Sequence, residues 1–305
     1  MLLVTGASGF LGSNIAREAI VAGVPVRGTY HRNAFRMDGL QVFGVDLSQA
    51  AEVRDLLTRT KPDWVVNCAA YTNVDDCEVN PDRARLLNVG LPQTLAAECA
   101  NAGIRMMHVS TDSVFDGRRG GYSEEDSPAP LNVYAQTKLE GEHAVTAALS
   151  GALVVRTNFI GVSPGSDAGL ADWIAGKFER KERVSGFTDV VFAPLLANEV
   201  ARIALEMMQV GLQGLYHVSA RDSVSKYEFA CRLGEALGAG REMVDPTSIE
   251  AAGLRARRPM NTSLSPRKTE CALGRQMPEV DAAIGAYAEL RAAETAAVSG
   301  LSTRV

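Results

Sequence analysis

Short apolar runs alternate with longer amphipathic stretches through the first half of the chain, and no other feature restricts the fold as strongly. Alternation of this kind signals βαβ units and a parallel sheet. The runs Leu2 to Thr5, Val26 to Tyr30, Val42 to Val45, Trp64 to Asn67, Arg105 to Ser110 and Leu153 to Arg156 predict strands. Between them, Leu11 to Val21, Ala50 to Thr60, Asp82 to Asn101 and Val133 to Leu149 carry helical periodicity. Six strands with intervening helices predict an α/β, Rossmann-type doubly wound parallel sheet. Such sheets bind ligands at the carboxyl ends of their strands, so the residues just after each strand become the candidates for function.

Beyond Arg156 the alternation loosens. A glycine, serine and proline loop, Gly161 to Gly169, leads to an amphipathic helix over Leu170 to Arg180; Gly214 to Val218 reads as a further buried strand, and Tyr227 to Leu237 as a helix capped by Ser225. From Val280 onward the sequence is alanine-rich and helical, with fraying expected over Ser299 to Val305. The 305 residues, 46% of them hydrophobic, suffice for one large core and a smaller lobe. The expected division is a dinucleotide-binding domain over 1–157 with return segments near 187–220, a smaller C-terminal substrate-binding lobe over 158–290 and a tail over 291–305.

The segment Thr5 to Gly12 follows the first strand and opens the first helix, placing Gly6, Gly9 and Gly12 at a GxxGxxG spacing. Glycines there allow a tight turn, close approach of backbone to a pyrophosphate and close packing of helix on strand, while the helix N-terminus faces the negative charge. A lone match also occurs in structural turns; here strand, turn and helix coincide. Gly6, Ser8, Gly9, Phe10, Leu11 and Gly12 are therefore candidate cofactor-binding residues. At the end of the second strand, where NAD sites usually carry an acidic residue, the chain reads Thr29-Tyr30-His31-Arg32-Asn33. Arg32, with His31 beside it, suits a 2′-phosphate, which points to NADP(H) as cofactor with NAD(H) also admissible; the alternative is a solvated loop charge. Asp46 and Leu47 follow the third strand as candidates for the adenine, and Cys68, Ala69, Ala70 and Tyr71 follow the fourth on the nicotinamide side.

Tyr134 and Lys138, four residues apart, share a helix face. A phenol is a weak acid at neutral pH, and a nearby ammonium lowers its pKa, so the pair suits proton transfer. Taken alone, YxxxK is also a common solvated pair. Here it follows the strand ending in Ser110-Thr111-Asp112 by about two dozen residues, which lets Thr111 meet Tyr134 at the cleft.

These segments make the chain resemble the extended short-chain dehydrogenases and, within them, the dTDP-4-dehydrorhamnose reductase family. The resemblance spans nearly the whole length. It rests on Gly6 to Gly12, Asn67 to Asp75, Ser110 to Gly117 and Pro130 to Glu142, with Arg156-Thr157-Asn158, Phe187-Thr188-Asp189 and Arg258 to Leu264 further along. It implies Thr111, Tyr134 and Lys138 as catalytic residues, with Asn88 near the cofactor. Tyr134 would protonate the oxygen of a ketone as NADPH delivers hydride to its carbon. The implied substrate is a nucleotide diphosphate sugar. Val74, Thr111, Asp112, Ser113, Asn158 and Phe159 are candidate sugar contacts, and Arg257 and Arg258 the cations for its pyrophosphate. A positively charged surface is the other reading of the two arginines, and a loop cap that of Asn158. The chain departs from the family at Ser113, where many members carry tyrosine, and at Phe10, where they carry glutamine. Ser113 also cannot supply the acid that sugar nucleotide 4,6-dehydratases place after Thr-Asp.

Three functions fit: reduction of a 4-keto-6-deoxy sugar nucleotide; reduction or epimerisation of another nucleotide sugar or carbonyl compound; and a binding role like that of the regulatory subunit of methionine adenosyltransferase, which resembles the same family. A net charge of −5 argues against nucleic acid as a partner. No apolar run reaches the length of a membrane span, and Gly6 interrupts the first apolar segment too early for a secretory signal, so a cytoplasmic protein is expected. A homodimer is compatible with these features. The five cysteines form no CxxC pair, and the acidic run Glu124 to Asp126 sits beside glycine and proline, so neither a disulfide framework nor a metal site is expected.

Overall fold

A computed structural model describes residues 1–31, 34–163 and 169–302. Its centre is a seven-stranded, wholly parallel sheet. The strands are β1 (Leu2–Thr5), β2 (Val26–Tyr30), β3 (Gln41–Gly44), β4 (Trp64–Asn67), β5 (Arg105–Thr111), β6 (Leu153–Thr157) and β7 (Gly214–Val218). Their order is β7-β6-β5-β4-β1-β2-β3, so the direction of winding reverses between β1 and β4 and opens a crevice there. The run Gly214 to Val218 is thus the seventh strand.

Both faces of the sheet are covered, which explains central strands with runs of apolar residues such as Leu2–Val4 and Trp64–Val66. Alternation of side chains sorts them: Leu2, Val4, Trp64, Val66 and Met107 enter one core, Leu3, Val65 and Met106 the other. On the first face α1 (Phe10–Val21) packs against α8 (Ala197–Gln209). On the second, α5 (Leu91–Ala102) contacts both α2 (Ala50–Thr60) and α6 (Val133–Ala148). The short helices α3 (Val74–Val79) and α4 (Pro81–Arg85) lie near the N-terminal part of α6.

One expected helix is interrupted. Asp82 to Asn101 was read as continuous, but α4 ends at Arg85 and a π-turn, Leu86–Gly90, precedes α5. Pro92 has no N–H to give the Asn88 carbonyl, and the Leu91 amide reaches back to Leu86 instead. The freed Asn88 carbonyl lies against α6, where a Cβ at Gly141 would stand 2.1 Å from it.

The remaining chain adds α7 (Leu170–Glu179), α9 (Lys226–Ala236), α10 (Arg267–Leu273) and α11 (Val280–Ser302) around three two-stranded pairs. Phe159–Ile160 pairs with Leu195–Leu196 and Val184–Phe187 with Val244–Thr247, both parallel; Val191–Phe192 runs antiparallel to Val224–Ser225. Ser225 caps α9 by accepting a hydrogen bond from the Glu228 amide, as expected. The α11 backbone stays helical through Ser302, into the stretch expected to fray; 303–305 lie outside the described residues. Among the described residues no helix is long and apolar enough to cross a membrane.

Candidate active site

The carboxyl ends of β1, β4, β5 and β6 converge along the crevice. After β1, Gly6 adopts φ +66°, and a Cβ there would stand 2.9 Å from the Ala69 amide, so the turn closes directly against the loop after β4. Gly12 is equally constrained, since its Cβ would lie 2.3 Å from the Gly6 carbonyl. Gly9 is the N-cap of α1; no side chain caps the helix and its first turn holds no acid. The open helix end therefore fits an anion such as a dinucleotide pyrophosphate. Leu11 is buried in the core below, whereas Ser8 faces a cavity of about 590 Å³ that it shares with Arg17, Arg36 and Phe35. Phe10 packs edge-on against Phe159, with ring centroids 5.2 Å apart.

On the β2–β3 side, Asp46 accepts hydrogen bonds from the Ser48 amide (3.0 Å) and hydroxyl (2.7 Å), which hold its carboxyl below the usual range. The exposed His31 adds a weaker lowering effect, and Leu47 is buried. Arg32, the expected 2′-phosphate ligand, lies outside the described residues.

After β4, Cys68, Ala69 and Ala70 are partly exposed. Burial pushes the Cys68 thiol up to about 12. Asn88, inside the π-turn, donates to the Tyr71 carbonyl (3.0 Å) and to Thr137 Oγ1 on α6 (3.1 Å), and accepts from the Tyr71 amide (2.7 Å). Its side chain is thereby committed to the protein. Expected near the cofactor, Asn88 braces the loop after β4 against the helix that carries Tyr134. The Tyr71 hydroxyl bonds to Asp76, and Arg83 lies 4.7 Å over its ring. Val74 opens α3.

After β5, Thr111 is buried; its hydroxyl accepts from the Ser113 amide (3.2 Å), donates to Asp112 Oδ1 (3.1 Å) and sits beside the Tyr134 phenol. The sequence thus brings Thr111 and Tyr134 together as expected. Burial pushes the Tyr134 phenol up to about 12, and the Thr111 hydroxyl only partly offsets this. Lys138, one turn further along α6, donates to the Val109 carbonyl (2.7 Å), and burial brings it down to about 8 against the opposing charge of Glu142. The expectation that its ammonium lowers the tyrosine pKa is corrected on this point. The ammonium is held by the β5 backbone, and desolvation governs the phenol.

Beneath this pair lies a buried ion pair that the sequence reading had not singled out. Arg156 on β6 grips Glu142 on α6 in fork geometry, Nε to Oε1 at 2.9 Å and Nη2 to Oε2 at 2.7 Å, and Ser110 also donates to Glu142. Both side chains are nearly inaccessible.

Opposite Tyr134, Asp112 joins β5 to the rest of the chain. Asn158 (2.8 Å) and Thr262 (2.6 Å) donate to Oδ2, and Ser113 (3.2 Å) to Oδ1; burial nonetheless raises its carboxyl. Asn158 and Asp112 are thus mutually bonded, so each presents less free capacity to a ligand than expected. Arg258 is not a free cation, being paired with Asp75 at 2.9 Å and bonded to the Ala256 carbonyl at 3.1 Å. Arg257 is exposed and its carbonyl receives a hydrogen bond (2.8 Å) from Asn132, the N-cap of α6. Both arginines line a cavity of about 530 Å³ with Asp116, Leu131, Leu254 and Met260.

Comparison with known proteins identifies the family. A family model described as the RmlD substrate binding domain matches residues 1–292. A probable low-salt glycan biosynthesis reductase, Agl14 of Haloferax volcanii, is 35% identical, with 91% of this chain and 94% of that protein covered. Methionine adenosyltransferase 2 subunit beta of Xenopus tropicalis is 33% identical over 90% of this chain and 84% of its own length. The crystal structure of dTDP-4-dehydrorhamnose reductase from Bacillus anthracis, in complex with NADP, superposes with a TM-score of 0.82 at 26% identity, covering 94% of this chain and 97% of that one. The glycine turn, the parallel sheet and the Thr111, Tyr134 and Lys138 constellation thus belong to a member of the dTDP-4-dehydrorhamnose reductase family, an oxidoreductase of the extended short-chain dehydrogenase type.

Proposed function

We propose that this protein reduces the 4-keto group of a nucleotide diphosphate 6-deoxy sugar, using NADPH in preference to NADH. The observation that carries this reading is the buried Thr111 hydroxyl set beside a protonated, partly buried Tyr134 at the carboxyl end of the sheet. When bound, reduced nicotinamide supplies hydride to the carbonyl carbon. Tyr134, neutral across the physiological range, donates its proton to the carbonyl oxygen. Thr111, itself oriented by Ser113 and Asp112, aims the phenol and the oxygen at each other. Lys138, one helical turn from Tyr134, would hold the cofactor ribose. The turn Gly6 to Gly12 receives the pyrophosphate, Arg32 the 2′-phosphate. The domain over 1–157 with return segments near 187–220 holds the cofactor, and segments from 158–290 form the substrate lobe. There Ser113, Val74, Asn158 and Phe159 line the sugar, and Arg257 and Arg258 meet its diphosphate.

The test is NADPH oxidation, followed by absorbance, with enzymatically generated dTDP-4-keto-6-deoxy sugars and NADH in parallel. Turnover with NADPH ahead of NADH is expected. Tight NADPH binding without turnover on any such sugar would instead favour a binding subunit, the reading that the likeness to methionine adenosyltransferase 2 subunit beta supports.

The pH profile adds a second test. Lys138 is held down to about 8 in the free protein, so it is cationic below that pH and loses its proton as pH rises through it. kcat/KM, which reports the free enzyme, is expected to fall as pH rises through about 8, before Tyr134 titrates. A profile flat up to the ordinary lysine range would remove the Lys138 charge from catalysis.

A further inference from the structure

The cavity of about 590 Å³ that Ser8 faces lies on the β2 side of the glycine turn. The Ala7 amide donates to the Thr29 carbonyl at 3.0 Å, and a Cβ at Gly28 would stand 2.7 Å from the Ala7 methyl carbon. Ala7 and Ser8 thus adjoin the end of β2, the place of the adenosine ribose in a dinucleotide site, while the pyrophosphate belongs over the α1 N-terminus. The connection from β2 to β3 supplies the facing wall. There Phe35 and Met37 pack against the core, which fixes the backbone of Arg36 between them.

Arg36 on that connection and Arg17 on α1 both line the cavity, and among the described residues neither has a hydrogen bond or an ion pair. Glu18, beside Arg17 in sequence, bonds instead to Asn198 (2.9 Å) and Arg202 (3.0 Å). Asp38 also lines the cavity but pairs with neither arginine. Ser13 donates to the Phe10 carbonyl (2.9 Å), whereas no described residue bonds the Ser8 hydroxyl. Helical side chains lean toward the N-terminus of their helix, which carries Arg17 along α1 toward Ser13 and Ser8. A merely solvated arginine needs no shared concavity; here two uncompensated guanidinium groups and a free hydroxyl line one space at the ribose end of the turn.

We propose that Arg36 and Arg17, with the Ser8 hydroxyl, hold the 2′-phosphate of NADP(H), so that the choice of NADPH over NADH is made in this cavity. A phosphate monoester carries about two negative charges near neutral pH and three strong acceptor oxygens, which two forked guanidinium groups match. The 2′-hydroxyl of NADH brings no charge and relieves neither cation. The assignment rests on the NADPH preference in the reading above and names residues beyond Arg32 that enforce it.

Calorimetric titration of the wild type and of Arg36→Ala, Arg17→Ala and Arg36→Lys separates the outcomes. The probes are adenosine 2′,5′-bisphosphate, adenosine 5′-phosphate, NADPH and NADH. Each alanine variant is expected to weaken the bisphosphate and NADPH by about tenfold, the usual effect of losing a charged hydrogen bond, and to leave adenosine 5′-phosphate and NADH within about twofold. Arg36→Lys keeps the charge but not the fork and should recover part of the loss. An equal loss for all four probes would put the arginines at the pyrophosphate and overturns the assignment. If the wild type prefers the bisphosphate to adenosine 5′-phosphate and neither alanine variant reduces that preference, the NADPH reading stands and the assignment fails. If the wild type binds the two adenosine phosphates equally, and NADPH no better than NADH, both fail.

Discussion

Replacing Tyr134 with phenylalanine is expected to lower kcat for ketone reduction by about three orders of magnitude, within the range that a positioned general acid supplies. The substitution removes one hydroxyl and leaves a ring of the same shape. Only the hydroxyl beside Thr111 and its transferable proton are lost. NADPH affinity should therefore stay within about twofold of wild type, because the Gly6 to Gly12 turn and the α1 N-terminus do not depend on the phenol. Stopped-flow reduction and fluorescence titration of NADPH separate the two quantities. Residual turnover above about a tenth of wild type would show that another group, or water, protonates the oxygen.

The second large effect concerns stability. Arg156→Met strands the Glu142 carboxylate in the interior with Ser110 as its remaining donor. Breaking a buried pair from one side costs about 3–5 kcal/mol, and urea unfolding at neutral pH should show a loss of that size. The double variant Glu142→Leu with Arg156→Met removes both charges and should recover most of the loss, since well-packed apolar replacements of buried pairs are often neutral. A single substitution costing less than about 1 kcal/mol, the scale of an exposed pair, would mean that water reaches Glu142. The double variant also strips Lys138 of a charge that holds its proton. Its descending pH limb should then move to lower pH.

Most of the sheet was legible because its central strands lie between two covered faces and carry continuous apolar runs; Trp64 to Asn67 is a clear case. The glycine turn was legible for a different reason, since backbone contacts as close as that of Gly12 with Gly6 leave room for no other residue. Pro92 alone did not reveal the π-turn, because proline in the first turn of a helix is ordinary. What made it a break was the Asn88 carbonyl held against Gly141, a contact between remote parts of the chain. The partners of charged groups were hidden in the same way. Asp75 and Arg258 stand 183 residues apart in sequence, so an arginine that looks available there is paired in space. The i, i+4 spacing of Tyr134 and Lys138 correctly put them on one face but could not reveal that the Val109 carbonyl takes the ammonium.

The Asn88 latch has a consequence for how the site meets its ligands. One amide side chain ties the loop after β4, at Tyr71, to Thr137, the residue before Lys138. Any shift of that loop is conveyed to the helix bearing the proton donor, and the two surfaces travel as one body. Their mutual alignment is therefore established when the chain folds, so the reorganisation energy of the chemical step is kept small at this joint.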